Sequence, residues 1–231
     1  MKQMGEKNYC IFACGGHGTR MGGDVPKQFL RLGDKTILQL SAERVAEAVD
    51  GVRLVMVLPG EYIQFWSDEC RKSGFDEPQT LVEGGITRFH SVRNALSGIP
   101  DDAIVAVHDG VRPFVSSALV RNLFSLAGEY QAVVPVIPVT DTLKVLDSDL
   151  CEMEGRTADR SVLFGAQTPQ VFSAGTLKAA YRQPYDVSFT DDASVVRKCG
   201  VSVKYVPGEK YNIKITTPED LLLARALLSA L

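Results

Sequence analysis

A glycine-rich segment directly follows the first apolar run of the sequence. Residues 15–23 read Gly-Gly-His-Gly-Thr-Arg-Met-Gly-Gly and come after the apolar stretch 9–14. At the carboxyl end of a parallel strand, such a loop lets backbone N–H groups approach a phosphate chain without hindrance from side chains. Arg20 and Lys27 add two cations near these glycines, enough to neutralise part of a polyphosphate. The segment predicts a phosphate-binding loop; the alternative is a glycine turn needed only for tight packing.

The loop departs from two familiar nucleotide-binding motifs. No Gly-Lys-Ser/Thr follows at the spacing of a Walker A loop, and Met21 stands where a dinucleotide fingerprint has its third glycine. The second apolar run, 52–58, is followed by Pro59 and Gly60 rather than by an acid that could hold a ribose. These departures argue against a P-loop NTPase and against a nicotinamide-dependent enzyme.

Asp109 is the strongest candidate metal ligand. It comes just after the apolar run 103–107, where a buried strand would deliver it to the ligand-binding edge of an α/β sheet. Carboxylate oxygens at that edge suit a Mg²⁺ ion shared with phosphates. The alternative is that Asp109 caps a turn or pairs with Arg112.

The elements that must position these residues alternate along the chain. Short apolar runs, which are typical of buried parallel strands, alternate with segments of helical periodicity. The strands are predicted at 9–14, 52–58, 103–107 and 132–136, and the helices at 36–49, 60–73, 87–97 and 117–129. A last helix is predicted from Pro218, with Thr217 as its cap. The pattern favours an α/β fold: a Rossmann-like three-layer sandwich with a mostly parallel sheet.

One region breaks this alternation. Residues 139–172 are polar and contain strand-like pieces such as 141–146. We expect a β-arm that projects from a single domain spanning 1–231. Such an arm has little core of its own, so we expect it to be ordered against a second subunit.

Composition and charge exclude several classes of protein. The chain has 231 residues, 45% of them hydrophobic, and 25 Lys and Arg against 28 Asp and Glu give a net charge of −3. That balance gives no general attraction to nucleic acid or to an anionic membrane, and the longest apolar runs are too short for a membrane span. Five cysteines without a CxxC pair, and an N-terminus without an apolar signal region, favour reduced thiols in a cytoplasmic protein.

Several segments in order resemble one family of enzymes. The glycine loop with 26–30 resembles the signature of sugar- and polyol-phosphate nucleotidyltransferases, and among them of 2-C-methyl-D-erythritol 4-phosphate cytidylyltransferases. Further matching segments are 83–92, 108–113, 141–144 with 157–160, 166–170, and 212–216 with 218–221. The resemblance covers nearly the whole chain. It implies transfer of CMP from CTP to a polyol phosphate in non-mevalonate isoprenoid synthesis, with Mg²⁺ as cofactor and a homodimer as the working form.

The resemblance also implies roles for individual residues. The catalytic cations would be Arg20, Lys27 and Lys214. The nucleotide would be bound by Ala13, Cys14, Gly15, Gly16, Gly18, Gly84, Gly85, Arg88, Ser91, Asp109 and Gly110, with Asp109 also holding the metal. The polyol phosphate would be bound by Arg112, Thr142, Lys144, Arg160, Thr168 and Thr190. From the residues alone, Thr190 with the two acids after it is better explained as a helix cap.

The sequence departs from the family pattern at two positions and leaves rival functions open. Ala13-Cys14-Gly15 stands where many members have Pro-Ala-Ala, and Ile86 stands where some have Asp. A ribitol 5-phosphate cytidylyltransferase shares the glycine loop and the stretch around Lys27. A nucleotide-binding regulatory module without turnover is a rival of another class, against which Arg20, Lys27, Asp109 and Lys214 together argue.

Overall fold

The apolar runs of the sequence form the strands of one mixed sheet. The fold is given by a computed structural model, which describes residues 7–15, 25–153 and 158–230. Its strands are β1 (Asn8–Ala13), β2 (Arg31–Leu32), β3 (Lys35–Thr36), β4 (Arg53–Leu58), β5 (Gln79–Glu83), β6 (Ile104–His108), β7 (Ala132–Pro138), β8 (Phe164–Ala166), β9 (Gln170–Ser173) and β10 (Lys204–Pro207). The four predicted strands correspond to β1, β4, β6 and β7.

The central sheet has the order β10-β7-β9-β6-β1-β4-β5, with β8 beside β7. The pairs β1–β4, β1–β6, β4–β5 and β10–β7 are parallel, whereas β9 runs antiparallel between β6 and β7. The expectation of a mostly parallel sheet is confirmed. Because β6 and β4 flank β1, the loops that follow β1 and β6 leave the sheet at the same edge.

The helices begin where the sequence offers a cap. They are α1 (Ile37–Ala46), α2 (Ile63–Ser73), α3 (Arg88–Leu96), α4 (Ser117–Ala127), α5 (Ala174–Ala180), α6 (Asp192–Lys198) and α7 (Pro218–Ala230). The Thr87 hydroxyl caps α3 and the Ser116 hydroxyl caps α4, each accepting a backbone N–H from the first turn. At α6 the cap is Asp191 and not Thr190, because the Asp191 carboxylate accepts the Ser194 N–H.

Alternate residues of the strands face two separate cores. Phe12 of β1 packs in one cluster with Leu123 of α4, whereas its neighbour Ile11 packs in the other with Leu177 of α5. Helices α1, α2 and α4 therefore cover one face of the sheet, and α3, α5 and α6 cover the other. The three-layer sandwich is confirmed. Within the described ranges, no helix combines the length and apolarity that crossing a membrane would require.

The structure corrects the boundary of the arm. The predicted range 139–172 ends inside the sheet, because β8 pairs with β7 and β9 is a central strand whose Val171 and Phe172 are fully buried. The projecting part is the described portion of 139–163, where the pairing of Leu146 with Glu152 is an isolated bridge. A four-residue strand after a proline carries too little periodicity to be read from sequence.

Candidate active site

The turns after β1 and β5 are packed so closely that side chains would not fit between them. A Cβ atom on Gly15 would lie 2.9 Å from the Ser91 Oγ, and one on Gly84 would lie 3.3 Å from the Gly15 Cα. The Ser91 hydroxyl is buried and accepts the Gly85 N–H at 3.0 Å. Ser91 therefore holds the glycine turn in place, and the edge of the sheet presents backbone rather than side chains.

The turns after β1 and β6 are packed in the same way. A Cβ atom on Gly110 would lie 2.1 Å from the Cys14 Sγ, and the Gln28 side-chain amide donates to the Cys14 carbonyl at 2.9 Å. Burial raises the pKa of the Cys14 thiol to about 12, and the nearby Asp109 charge adds to this effect. The thiol is uncharged at neutral pH, so Cys14 stands here as a packing residue, and its backbone N–H donates to the Val57 carbonyl.

Asp109 lies at the centre of a cluster of cations. Its Oδ2 accepts the Arg112 Nε–H at 3.1 Å and lies 3.1 Å from the Lys214 Nζ. Burial opposes ionisation, but the charges of Lys214, Arg88 and Arg112 outweigh it and hold the pKa of Asp109 well below its ordinary value. The carboxylate is therefore ionised throughout the physiological range. The alternative in which Asp109 pairs with Arg112 is therefore what the structure shows.

Two residues predicted to bind substrate brace Asp109. The Thr168 hydroxyl accepts the Asp109 N–H at 3.0 Å and lies 2.9 Å from the Nδ1 of His108. Arg112, with a side chain that is 11% exposed, also donates to the Asn212 carbonyl at 2.7 Å. Arg112 thereby holds the Asp109 carboxylate and Thr168 holds its backbone, and both are bonded to Asn212 in the segment that carries Lys214.

Two buried amide side chains hold the segment that carries Lys214 against the sheet. No role was predicted for either of them from the sequence. Gln167 donates to the Glu209 carbonyl at 2.8 Å and accepts the Glu209 N–H at 3.0 Å. Asn212 is fully buried and donates to the Thr168 carbonyl at 2.9 Å. Both residues belong to matched segments of the sequence, but their partners lie more than 40 positions away along the chain. The sequence therefore gave no signal for these contacts.

Arg88 reaches the same region from α3. Its Nη2 donates to the Asp192 Oδ2 at 2.5 Å, while its side chain remains 34% exposed. Its positive charge lowers the pKa of Asp109, so the guanidinium lies close enough to that carboxylate to stabilise its ionised form. One edge of the sheet therefore carries ten of the predicted site residues: Ala13, Cys14, Gly15, Gly84, Gly85, Arg88, Ser91, Asp109, Gly110 and Lys214.

Lys27 lies beside this edge. It begins a short 3₁₀ helix, Lys27–Phe29, whose Gln28 is the residue bonded to the Cys14 carbonyl. Its charge lowers the pKa of the Cys14 thiol, although burial of the thiol is the larger and opposite effect. The predicted residues Gly16, Gly18 and Arg20 lie outside the described residues.

The arm residues make their described contacts within the arm. The Lys144 Nζ pairs with the Glu152 carboxylate at 2.5 Å, and Arg160 donates to the Thr140 carbonyl at 2.8 Å. Thr142 is exposed, and so is Thr190 on the loop before α6. One chain therefore does not bring Thr142, Lys144 and Arg160 into contact with the Asp109 cluster.

The donor set at this edge fits a metal ion that arrives with phosphates. Among the described residues, no three His, Cys, Asp or Glu side chains are grouped as a metal site would require. Asp109 is a single hard oxygen ligand at the sheet edge, and Mg²⁺ is commonly held by one or two carboxylates together with substrate phosphates and water. Asp109 is the residue of this cluster that would hold the ion.

The chain matches a known family of enzymes over almost its whole length. A family model described as IspD, 2-C-methyl-D-erythritol 4-phosphate cytidylyltransferase, matches residues 9–230. This chain belongs to that family. Relatives named 2-C-methyl-D-erythritol 4-phosphate cytidylyltransferase include one from Bacteroides fragilis, 44% identical over 94% of this chain and 98% of the relative. Another, from Porphyromonas gingivalis, is 44% identical over 98% of this chain and 100% of the relative.

Solved structures of IspD enzymes share the fold. A 4-diphosphocytidyl-2C-methyl-D-erythritol synthase from Anaerococcus prevotii superposes with a TM-score of 0.81 at 28% identity, covering 97% of this chain and 96% of that one. The 2-C-methyl-D-erythritol 4-phosphate cytidylyltransferase from Thermus thermophilus gives a TM-score of 0.73 at 33% identity, covering 97% and 99%. The nucleotidyltransferase fold inferred from the sequence is confirmed over the length of the chain.

Replacing Asp109 by Asn should destabilise the protein in a pH-dependent way. At pH 7 the variant should lose about 3 kcal/mol of unfolding free energy, because Arg112 and Lys214 lose the anion between them. The pKa of Asp109 is lowered on folding, so its contribution is complete above the ordinary value of 3.8 and is lost as the pH falls through the folded-state value. Urea titrations of both proteins should show a gap that shrinks below pH 3.8. A gap that widens on acidification would contradict the assignment.

Proposed function

We propose that this chain transfers CMP from CTP to 2-C-methyl-D-erythritol 4-phosphate and releases pyrophosphate, a step in isoprenoid precursor biosynthesis. The observation that carries the proposal is the cation cluster around Asp109 beside a cradle of packed glycines. That combination suits a triphosphate, because glycines without side chains leave room for the phosphates while the cations neutralise them. Membership of a family whose relatives carry this activity in their names supports the choice of substrates.

The chemistry needs positioning and charge neutralisation rather than a protein nucleophile. A phosphate oxygen of the polyol phosphate attacks the α-phosphorus of CTP, and the bond to the pyrophosphate oxygen breaks as the new bond forms. Negative charge grows on the α-phosphate oxygens, where Lys27 and Lys214 would stabilise it. Lys214 suits this task because its side chain is 43% exposed and pairs with Asp109 without being enclosed. It can turn from the carboxylate to a phosphate.

The nucleotide pocket suits a small base. Gly15, Gly84 and Ser91 approach one another so closely that the space above them is bounded by backbone and one hydroxyl. Such a pocket would reject purines by size and by leaving polar groups unpaired. Ile86, on the loop between these glycines and α3, is 96% exposed. Its substitution for the Asp of other members therefore leaves the packed cradle intact.

We also propose Mg²⁺ as the cofactor, held by Asp109. When bound together with the triphosphate, the ion would offset negative charge on the phosphate oxygens during transfer. Arg112 and Thr168 would keep the Asp109 carboxylate in a fixed orientation for this role, since both bond to that residue.

We propose a cytoplasmic homodimer in which the arm of one chain completes the site of the other. The described arm and the strand after it expose several large apolar side chains: Leu143, Leu146, Leu150, Val162 and Phe164. An exposed apolar set of this kind is typical of a surface that meets a partner. Thr142, Lys144 and Arg160 stand on the same arm, so docking would carry them to a second subunit. The five unpaired cysteines are in keeping with a reducing compartment.

The choice of polyol phosphate is tested by offering each candidate separately with CTP and Mg²⁺. We expect pyrophosphate release with 2-C-methyl-D-erythritol 4-phosphate and little with ribitol 5-phosphate, because the family match and the arm residues Lys144 and Arg160 point to the former. Release of pyrophosphate is measured by a coupled assay, and the CDP-alcohol by mass spectrometry. Preference for ribitol 5-phosphate would establish the alternative enzyme. Tight CTP binding without turnover of either compound would establish the regulatory module.

Replacing Lys214 by Ala should lower kcat by about a hundredfold, because one donor to the charge of the transition state is lost. The Kd for CTP should change much less. Lys210→Ala is the matched control, since Lys210 lies in the same segment, is exposed and is not part of the cluster. Steady-state kinetics, with circular dichroism to verify folding, measure both variants. Wild-type turnover of the folded Lys214→Ala protein would refute the assignment.

Mixing two inactive chains tests whether the arm acts in trans. Heterodimers of Arg160→Ala and Lys27→Ala should regain one working site of two, because one site then combines an intact core with an intact partner arm. Heterodimers of Lys27→Ala and Lys214→Ala are the control, since both changes lie in the core and every site keeps a defect. Activity is measured on heterodimers purified with two affinity tags. Recovery in the control, or none in the test pair, would exclude a shared site.

A further inference from the structure

Asp192 is a buried carboxylate that contacts Arg88 of the proposed nucleotide site, and it has no part in the chemistry described above. Asp192, the first residue of α6, is fully buried. Its Oδ1 accepts the hydroxyl of Tyr181 at 2.6 Å, and its Oδ2 accepts the Arg88 Nη2–H at 2.5 Å. Arg88 and Asp192 are 104 positions apart in the sequence. The pair therefore joins α3, which follows the glycine turn, to α6 on the same face of the sheet.

Each member of this group is held rigidly. Tyr181 is buried and stacks on Phe89 with ring centroids 4.7 Å apart, so the residue next to Arg88 packs against the residue that orients Asp192. Burial and the Asp192 carboxylate raise the pKa of the Tyr181 hydroxyl, which therefore stays protonated and donates. Burial disfavours the charged guanidinium, but Asp192 outweighs this and raises the pKa of Arg88.

Capping of α6 does not account for Asp192. Its neighbour Asp191 is the N-cap and accepts both the Ser194 N–H and the side-chain amide of Gln170, at 2.8 Å each. A buried ion pair is also weak evidence of a contribution to stability, because desolvation cancels much of the attraction. The arrangement is better explained by what it does to Arg88. With one edge bonded to Asp192, the guanidinium can face the Asp109 cluster only in a restricted set of orientations.

We propose that Asp192 and Tyr181 are positioning residues that hold the Arg88 guanidinium toward the bound nucleotide. The inference rests on the CTP site of the proposed function. Arginine is long and flexible, so ordering it before the ligand arrives removes an entropic cost from the binding step. Asp192 fixes one side of the planar group and leaves N–H donors on its other side for an anionic or carbonyl oxygen of the nucleotide.

A double-mutant cycle on CTP binding tests the proposal. Asp192→Asn should raise the Kd for CTP about tenfold in the wild-type background and hardly at all in an Arg88→Ala background, because the effect passes through Arg88. Tyr181→Phe keeps the ion pair between Arg88 and Asp192. It should therefore raise the Kd for CTP by a smaller factor, and this effect too should vanish in the Arg88→Ala background. Asp191→Asn is the matched control, since Asn is an equally good cap, and should leave the Kd unchanged. Isothermal titration calorimetry gives the Kd, and thermal melts verify folding.

Rescue by free guanidinium ion distinguishes a positioning role of Asp192 from a purely structural one, because only the positioning role predicts that rescue depends on Asp192. Added at concentrations well below denaturing, the ion should restore CTP binding to Arg88→Ala, where the Asp192 carboxylate can hold it. It should not restore binding to the Arg88→Ala, Asp192→Asn double variant. The proposal would be overturned if the losses of CTP affinity from Asp192→Asn and Arg88→Ala were additive. Equal rescue of Arg88→Ala and of the double variant would also overturn it. Should Asp192→Asn fail to fold, the Tyr181→Phe cycle decides in the same way.

The outcomes separate this inference from the proposed function. A wild-type protein that binds CTP and shows the coupling, yet turns over neither polyol phosphate, would support the positioning role and contradict the transfer reaction. Turnover by the wild type with additive losses in the cycle would do the reverse. Failure of the wild type to bind CTP would overturn both.

Discussion

The site depends on the balance of charge around one buried carboxylate. Asp109 is ionised in the interior because Arg112, Lys214 and Arg88 surround it, and these cations come from three separate parts of the chain. An uncompensated charge in this position would be costly, so the turn after β6, the segment before α7 and helix α3 must all be in place at once. The central sheet makes this possible, since β6 and β1 are neighbours and deliver their turns to one edge.

The partners of Asp109 differ in a way that suits binding and turnover. Arg112 is enclosed and also bonded to the Asn212 carbonyl, so two contacts hold its guanidinium in place. Lys214 is much more exposed and makes a charge contact with Asp109 through a flexible side chain. Under the proposed function, a triphosphate would attract Lys214 while Arg112 continued to balance the carboxylate.

The sequence was informative wherever a segment had a strong period or a continuous apolar run. Strands β1, β4, β6 and β7 and helices α1 to α4 were predicted because each shows its buried positions as a run or a periodic pattern of apolar residues within its own segment. The strands β2, β3, β5, β9 and β10 were missed, since none of them contains more than three successive apolar residues. The arm boundary was wrong for the same reason: Gln170–Ser173 becomes a central strand through partners distant in sequence, not through its own pattern.

The sequence analysis named most of the residues at this edge but not the contacts between them. Arg112 and Thr168, which were predicted to bind substrate, brace Asp109, and Asp192 was not assigned a role at the site. Such roles depend on contacts between residues far apart in the chain. The contacts also explain how a protein with a net charge of −3 can hold a polyanion. Among the described residues of this edge, four cations, Lys27, Arg88, Arg112 and Lys214, accompany two buried carboxylates, Asp109 and Asp192, so positive charge is in excess where the phosphates would bind.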